Sequence, residues 1–265
     1  MSGIQAPDKE TMEACRLYVD NLIKPIHSLG KLEDIAVRLA GITGKIKPGK
    51  LNKAIVIMAG DTAVDGENKT GGKTSLTEVQ MVSRGLGTVS AVARTLGAPV
   101  YLIDVGLEQN TNDIEGVLTN KVVYGTHRGN PALNQDAVSA AISIGMSVAR
   151  TLAVQGIQAV GLGNIGERSL LSALGVTAAI MKKELQENSL KDGFSLHMDD
   201  VGNMANDPVG VLSRVGSAEI AGLFGLVVQA AREKIAIVFD NAVTGAAVLA
   251  AIEVYIILFK YANLI

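Results

Sequence analysis

The chain has 265 residues, a formal net charge of −2, a hydrophobic share of 48% and an aromatic share of only 3%. This length suits one large α/β domain, with or without a small helical appendage. The low charge gives no electrostatic reason to expect nucleic acid or an anionic membrane as a partner. The single cysteine, Cys15, excludes an intramolecular disulfide and fits a reducing, cytoplasmic location, and the polar N-terminus shows no apolar signal core.

Short apolar runs alternate with longer helix-compatible stretches. Runs rich in Val or Ile that end at Gly or Asp predict parallel strands at 54–59, 100–103, 157–160 and 235–239. Helices are expected near 8–23, 31–41, 76–96, 134–155, 168–187, 217–232 and 242–260. The pattern predicts an α/β fold, a doubly wound, mainly parallel, Rossmann-like sheet with right-handed crossovers. Because two helices precede the first strand, we expect an N-terminal helical segment at 1–45 and an α/β domain at 46–265.

Residues 242–259 form an apolar run that approaches the length needed to span a bilayer. Glu253 interrupts the run, no basic cluster precedes it, and it directly follows a predicted strand. We therefore expect a buried or interface helix and no membrane partner.

Polar residues follow the predicted strands where open parallel sheets bind ligands. Asp61, Asp104 and Asp240 each end a strand and would converge at one edge of the sheet. Asp61 suits a hydrogen bond to a ribose or a role in ordering the neighbouring loop, and Asp240 suits a ligand contact. Capping of a turn or helix explains either aspartate equally well.

The helix predicted at 76–96 begins with a capping-box pattern, in which Ser75 or Thr77 would cap its first turn. Gln80 lies on this helix, and its residue type alone favours a solvated position.

A glycine-rich string, GLGNIG at 161–166, lies between a predicted strand and a helix. Its backbone amides could hold a phosphate at the helix N-terminus, which makes Gly163, Ile165, Gly166 and Arg168 candidate binding residues. Many strand-to-helix turns are glycine-rich, so the string alone is weak evidence. No acidic residue ends a strand close behind it, so a dinucleotide cofactor is not indicated.

The three histidines, His27, His127 and His197, are not spaced as metal ligands in the sequence, and no cysteine or carboxylate cluster sits beside them. We therefore expect loop or turn histidines, with no metal and no cofactor.

Three stretches together resemble one known family. KPIHSLGKLEDIA at 24–36 is similar to KPxxSLGxLEDLA, AGDTAV at 59–64 to AGDHGV, and 207–223 to DPLEVLARVGGLEIAALAG, all in the nicotinate-nucleotide:dimethylbenzimidazole phosphoribosyltransferases. That family transfers phosphoribose from nicotinate mononucleotide to an aromatic base and so makes the lower-ligand α-ribotide of cobamides. The resemblance implies that Gln80 reaches the aromatic base and that the strand-tip residues bind the substrates.

The sequence departs from the family pattern at several positions. Aligning 161–168 with the family's GEMGIGNT places Leu162 where the family has a functional glutamate and Glu167 where it has asparagine. The family's RGTG segment and following lysine have no counterpart between Gly175 and Asn206. The sequence ends at Ile265, before any match to the SAEPGH segment that holds the family's general-base glutamate. No catalytic residue can therefore be assigned.

These departures lead to the expectation of a subunit that acts beside a catalytically complete paralogue. Two-chain members of the family, which glycosylate phenolic bases, offer a precedent for such a hetero- or homodimer. Nicotinate mononucleotide and a benzimidazole- or phenol-type base would be the ligands. Two alternatives stay open: a stand-alone transferase with a different acceptor, using Glu167 or Asp240, and a non-catalytic nucleotide- or base-binding protein.

Overall fold

A computed structural model of the chain describes residues 3–47, 49–62, 71–123, 132–183 and 206–262, the last seven of these by their backbone only. The described helices are α1 (Lys9–Asp20), α2 (Lys31–Thr43), α3 (Lys73–Ser83), α4 (Thr88–Leu96), α5 (Gln135–Val154), α6 (Ser169–Met181), α7 (Pro208–Val215), α8 (Ala218–Arg232) and α9 (Ala242–Ala262). The described strands are β1 (Lys53–Gly60), β2 (Val100–Gly106), β3 (Val117–Thr119), β4 (Ala159–Ile165) and β5 (Ala236–Val238).

The five described strands form one sheet in the order β3-β2-β1-β4-β5, and each of its pairings is parallel. The chain starts at the centre with β1, winds outward through β2 and β3, and then returns to the other side of β1 with β4. This order confirms the predicted doubly wound, Rossmann-like sheet. It places the topological switch point, where ligands bind in such sheets, between the ends of β1 and β4.

The glycine-rich string is mostly strand, which the sequence analysis did not predict. Its residues 161–165 belong to β4, in which Gly161 pairs with Ile55 and Gly163 with Ile57. A methyl group on Gly163 would lie 3.0 Å from the Cγ1 atom of Ile57, so these glycines leave room for the isoleucines of β1. Strand β3 was also missed, because a three-residue segment has too little periodicity to read.

The single helix predicted at 76–96 is wrong, because α3 and α4 are separated there. Gly85 has a positive φ of 73°, and the chain turns before α4 starts at Thr88. The predicted cap is wrong as well: α3 follows Gly72 without a side-chain cap. Ser75 instead donates a hydrogen bond to Asp61.

The main core lies between the sheet and helices α5, α6, α8 and α9. Helices α5 and α8 approach each other closely at glycines: a methyl group on Gly145 would lie 1.8 Å from the carbonyl oxygen of Gly222. The early residues of α9 are also buried, among them Val243, Ala246 and Ala250, as expected for a buried helix.

One helix in the described part of the chain, Gln135–Val154, is long and apolar enough to cross a membrane by length and composition alone. This helix is α5, and Ala141, Gly145 and Ala149 on its buried face pack toward α8 and the sheet. Core helices of soluble proteins pass the same test.

The expected N-terminal helical pair is present as α1 and α2. These helices pack on each other around a small cluster of their own, made of Cys15, Val19, Val37 and Ala40 with Met12 against it.

Candidate ligand site at the strand ends

Asp61 joins three strand ends. Its Oδ1 atom accepts hydrogen bonds from the Ser75 hydroxyl at 2.5 Å and from the backbone N–H of Glu167 at 2.9 Å. Its Oδ2 atom accepts a bond of 2.9 Å from the N–H of Glu108, just after β2. The side chain is almost fully buried. Of the two roles predicted for Asp61, the ordering of neighbouring loops is therefore the one that these contacts favour.

Asp104, near the end of β2, is fully buried, and most of its contacts lie in the segment that directly follows it. Its carboxylate accepts hydrogen bonds from the backbone N–H groups of Gly106 and Leu107 and from the hydroxyl of Thr111. The ammonium group of Lys121 lies 3.3 Å from its Oδ2 atom. Because these contacts surround the carboxylate, the structure argues against the predicted ligand contact by Asp104 and gives it a structural role.

The turn at 166–169 follows β4 and leads into α6. The Glu167 side chain crosses to the start of α3, where its Oε1 atom accepts a bond of 3.1 Å from the N–H of Thr74. The Glu167 carbonyl accepts a bond of 3.1 Å from the N–H of Thr62. Arg168 precedes α6 with a φ of 62° and is half-buried. The turn therefore brings one carboxylate and one guanidinium to the switch point, next to the N-terminus of a helix.

Glu219, in the first turn of α8, is the least expected member of this region. It is completely buried, and its Oε1 atom accepts hydrogen bonds of 2.7 Å from both Ser169 and Ser217. Its other oxygen, Oε2, has no hydrogen-bond partner among the described residues. Burial raises the pKa of Glu219 to about 7, the two serine hydroxyls oppose this shift, and the charge of Asp61 adds to it.

A polar bridge joins the ends of β4 and β5. The Asn241 side chain donates a hydrogen bond of 3.2 Å to Oδ1 of Asn164, and its own Oδ1 atom accepts one of 2.9 Å from the N–H of Thr244. Asn241 is thus the residue that caps the start of α9. The neighbouring Asp240 is exposed at the same strand end.

The structure brings together most of the predicted site residues. Asp61, Ile165, Gly166 and Arg168 meet at the switch point, and Gly163 lies inside β4 just before it. Gln80 is half-buried on the third turn of α3, the helix whose Ser75 is hydrogen-bonded to Asp61.

Sequence analysis missed Ser169, Asn164 and Asn241 as members of this region and treated Glu219 only as a helix-start residue. The signal that could have identified these residues was their type and place: they are hydroxyl or amide side chains at the ends of strands or the starts of helices.

His27 lies in a turn, as predicted, but acidic residues that are not its sequence neighbours lie beside it. Ligand atoms of Asp20, His27 and Glu33 lie within 4.8 Å of one another, so carboxylates do sit beside a histidine in space. Lys24 places its ammonium group 2.8 Å from Oε1 of Glu33 and holds the pKa of that carboxyl below its usual value. The group is therefore an ion-pair cluster with its own cation. His127 and His197 lie outside the described residues.

An apolar cleft of about 760 Å³ lies at the opposite edge of the sheet, where β5 begins. Its lining includes Pro7 before α1, Ile42 of α2, and Ala236 of β5. None of the predicted site residues lines it.

The fold and the site define a doubly wound α/β protein with a candidate ligand site at the topological switch point, where a helix N-terminus and a glycine-containing turn suit a phosphate group. A sequence model of the family described as Phosphoribosyltransferase matches residues 4–262. The nicotinate-nucleotide–dimethylbenzimidazole phosphoribosyltransferase of Alkaliphilus metalliredigens is 34% identical, over 94% of this chain and 76% of the relative. The chain therefore belongs to the family of these phosphoribosyltransferases, which serve cobamide lower-ligand activation, as the resemblance in its sequence indicated.

Two further similarities agree with this placement. The enzyme of the same name from Acetivibrio thermocellus is 32% identical, over 92% of this chain and 74% of the relative. The crystal structure of the enzyme of the same name from Thermus thermophilus superposes with a TM-score of 0.79 at 25% identity, covering 93% of this chain and 78% of that one. The overall fold is thus shared with a solved protein of that name.

Proposed function

We propose that this chain is a subunit of a nicotinate mononucleotide-dependent phosphoribosyltransferase that makes α-ribotides of a benzimidazole- or phenol-type base. In this proposal it binds nucleotide and base but acts beside a catalytically complete paralogue. Family membership supports the reaction. The observation that carries the subunit role is the leucine at position 162.

Leu162 is a core residue of β4. It is 6% exposed, pairs with Val56 of β1, and belongs to the main hydrophobic core. The family signature has a functional glutamate at the matching place. A leucine side chain can neither accept a proton nor form a hydrogen bond, so the chemistry of that glutamate has to come from another group.

The turn before α6 has groups that suit the nucleotide's phosphate. The N-terminus of α6 and the turn before it offer backbone N–H groups and the Arg168 guanidinium to a phosphate. The Glu167 carboxylate would repel that phosphate if it faced the ligand. Its bond to the N–H of Thr74 draws it instead toward the start of α3, where the helix dipole favours a negative charge.

Gln80 supports the second half of the site. It is half-buried on α3, and Ser75, one and a half turns earlier on that helix, is bonded to Asp61. An amide side chain can donate to or accept from an aromatic base bound beside it. A site that binds both substrates but has a leucine in place of the family's functional glutamate fits a partner subunit.

The test is a turnover assay with the purified chain. Nicotinate mononucleotide is mixed with dimethylbenzimidazole or phenol, and nicotinate and the α-ribotide are quantified by chromatography. The chain is assayed alone and together with a longer family member from the same genome. A matched control uses that partner with the glutamate of its GEMGIGNT string changed to glutamine.

We expect no turnover by the chain alone, and more turnover by the mixture than by the longer partner alone. The control partner should lose activity in the mixture. Turnover by the single chain at an ordinary enzymatic rate would refute the subunit role and support the stand-alone transferase. Tight binding of nicotinate mononucleotide without turnover in either setting would support a non-catalytic binding protein.

A further inference from the structure

We propose that Glu219 is a positioning residue for the phosphate-bearing ligand: it holds Ser169 at the start of α6 and takes up a proton when a phosphate group occupies the turn at 166–169. The inference rests on the proposed nucleotide site, and it assigns a role to a buried acid that the proposed reaction does not otherwise use.

The contacts of Glu219 connect two of the site's elements. Its Oε1 atom accepts a bond from Ser217 at the start of its own helix and one from Ser169, the first residue of α6, both at 2.7 Å. The Ser169 hydroxyl also lies 3.1 Å from the carbonyl oxygen of Gly166. A single hydroxyl proton cannot serve both acceptors fully, so the state of Glu219 decides how the turn is held.

The second carboxyl oxygen faces the end of β1. A methyl group on Gly60 would lie 2.7 Å from Oε2, so this oxygen is in close contact with the last strand residue before Asp61. Oε2 has no hydrogen-bond partner in the described part of the chain, although the residue is completely buried. A buried carboxylate oxygen without a donor is costly in its charged form, and a proton on it removes that cost.

The surroundings favour the neutral acid. Asp61, at the end of β1, is the charged neighbour that acts on Glu219, and its sign is the same. Glu167 and Arg168 lie in the turn just before Ser169. The contacts from α6 and from the start of α8 are neutral hydroxyls. Near Gly222, one turn along α8, the closest groups are the uncharged thioether of Met58 and the backbone carbonyl of Ala141.

A bound phosphate adds negative charge at the N-terminus of α6, next to the Ser169 contact. It must therefore disfavour the ionised form of Glu219, and by linkage the protonated form must favour the phosphate. At pH 8 a carboxyl that titrates near 7 is mostly ionised in the free protein. Phosphate binding at this pH should then be accompanied by net proton uptake, with one proton per ligand as the upper limit.

The experiment is calorimetric titration of the full chain with nicotinate mononucleotide at pH 8, in two buffers of different ionisation enthalpy. At this pH the phosphate of the ligand is already a dianion, so its own titration contributes little. The proteins compared are the wild type, Glu219→Gln, and Glu233→Gln as a control. Glu233 is exposed at the far end of α8.

The wild type and Glu233→Gln should show the same net proton uptake, up to one proton per ligand bound. Glu219→Gln, which mimics the protonated acid, should take up none and bind more tightly at pH 8, by up to about tenfold, the limit set one pH unit above the titration midpoint. Unchanged proton uptake in Glu219→Gln would overturn this inference and leave the proposed function standing. If the wild type binds no nicotinate mononucleotide at either pH 6 or pH 8, the proposed function and this inference both fail.

A second measurement on the wild type covers the case in which Glu219→Gln does not fold. Carbon NMR of the glutamate carboxyl groups should show one resonance that titrates near neutral pH and whose midpoint rises when nicotinate mononucleotide is added. If no carboxyl titrates there, or if its midpoint is unmoved by the ligand, the inference is wrong.

Discussion

The carboxylate of Asp61 accepts a hydrogen bond of 2.9 Å from the backbone N–H of Glu167, a residue 106 positions later in the chain. This bond ties the end of β1 to the turn after β4, across the switch point at which a doubly wound sheet binds its ligand. Because the same carboxylate also holds Ser75 and the N–H of Glu108, the geometry of the candidate site depends on one acidic side chain.

Asp61→Asn should therefore destabilise the protein and loosen the site. An amide has one accepting oxygen and directs N–H groups at donors that the carboxylate satisfied, which leaves at least one buried donor without a partner. We expect a loss of about 2 kcal/mol in the free energy of unfolding, measured by urea denaturation. Asp240→Asn, on an exposed residue at another strand end, is the control and should change stability by less than about 0.5 kcal/mol. Equal losses in the two variants would contradict the role of Asp61.

The sequence was sufficient for β1 and β2 because apolar runs report burial directly. These two strands were predicted from Val- and Ile-rich runs, and the parallel, doubly wound arrangement was predicted from their alternation with helices. It was insufficient for β4, since glycines carry no strand signal. Gly161 and Gly163 are strand residues only because Ile55 and Ile57 of the neighbouring strand fill the space above them. That packing is tertiary information.

For the site, the sequence identified acids at strand ends but not what each one contacts. Asp61 and Asp104 have the same local pattern, yet one joins loops at the switch point and the other is enclosed by its own loop and Lys121. Glu219 was hidden because a glutamate in the first turn of a helix is ordinary in sequence. Its burial and its bond to Ser169, 50 residues away, exist only in the fold.

The raised pKa of Glu219 predicts a specific dependence of stability on pH. A carboxyl whose pKa rises from 4.5 in the unfolded chain to about 7 in the folded protein binds more protons when folded at intermediate pH. Its contribution is therefore fully present below about pH 4.5, falls as the pH rises toward 7, and levels off above that. The total change is roughly 3 kcal/mol, from 1.36 kcal/mol per pKa unit.

The difference in unfolding free energy between the wild type and Glu219→Gln, measured by urea denaturation from pH 5 to pH 8, tests this dependence. Glutamine does not titrate, so the variant should gain stability relative to the wild type as the pH rises. A difference that stays constant across this range would show that Glu219 keeps an ordinary pKa in the folded protein.

Lys121→Met should be strongly destabilising. The Lys121 ammonium lies 3.3 Å from Asp104 and donates a bond of 2.7 Å to the carbonyl oxygen of Leu107, and both charged side chains are almost completely buried. Its removal leaves a buried carboxylate without its cation. We expect the free energy of unfolding, measured by chemical denaturation, to fall by about 3 kcal/mol or more.

The matched control is Lys31→Met, because Lys31 pairs with Asp34 at 3.9 Å on the surface of α2. There the expected loss is below about 0.5 kcal/mol, since exposed pairs contribute little. Similar losses in both variants would refute the assignment of Lys121 as a buried structural cation.

Gly145→Ala tests the close packing of α5 on α8. Alanine normally stabilises a helix relative to glycine by up to about 1 kcal/mol. At this position the added methyl group would lie 1.8 Å from the carbonyl oxygen of Gly222 and 2.7 Å from the backbone nitrogen of Leu226, so the two helices must separate. We expect a net loss of about 3 kcal/mol and a lower thermal midpoint in calorimetry. Gly245→Ala in α9 is the control, because the nearest atoms lie 3.9 Å from its added methyl group. It should be neutral or slightly stabilising, and a Gly145→Ala protein as stable as this control would mean that the two helices do not pack through their glycines.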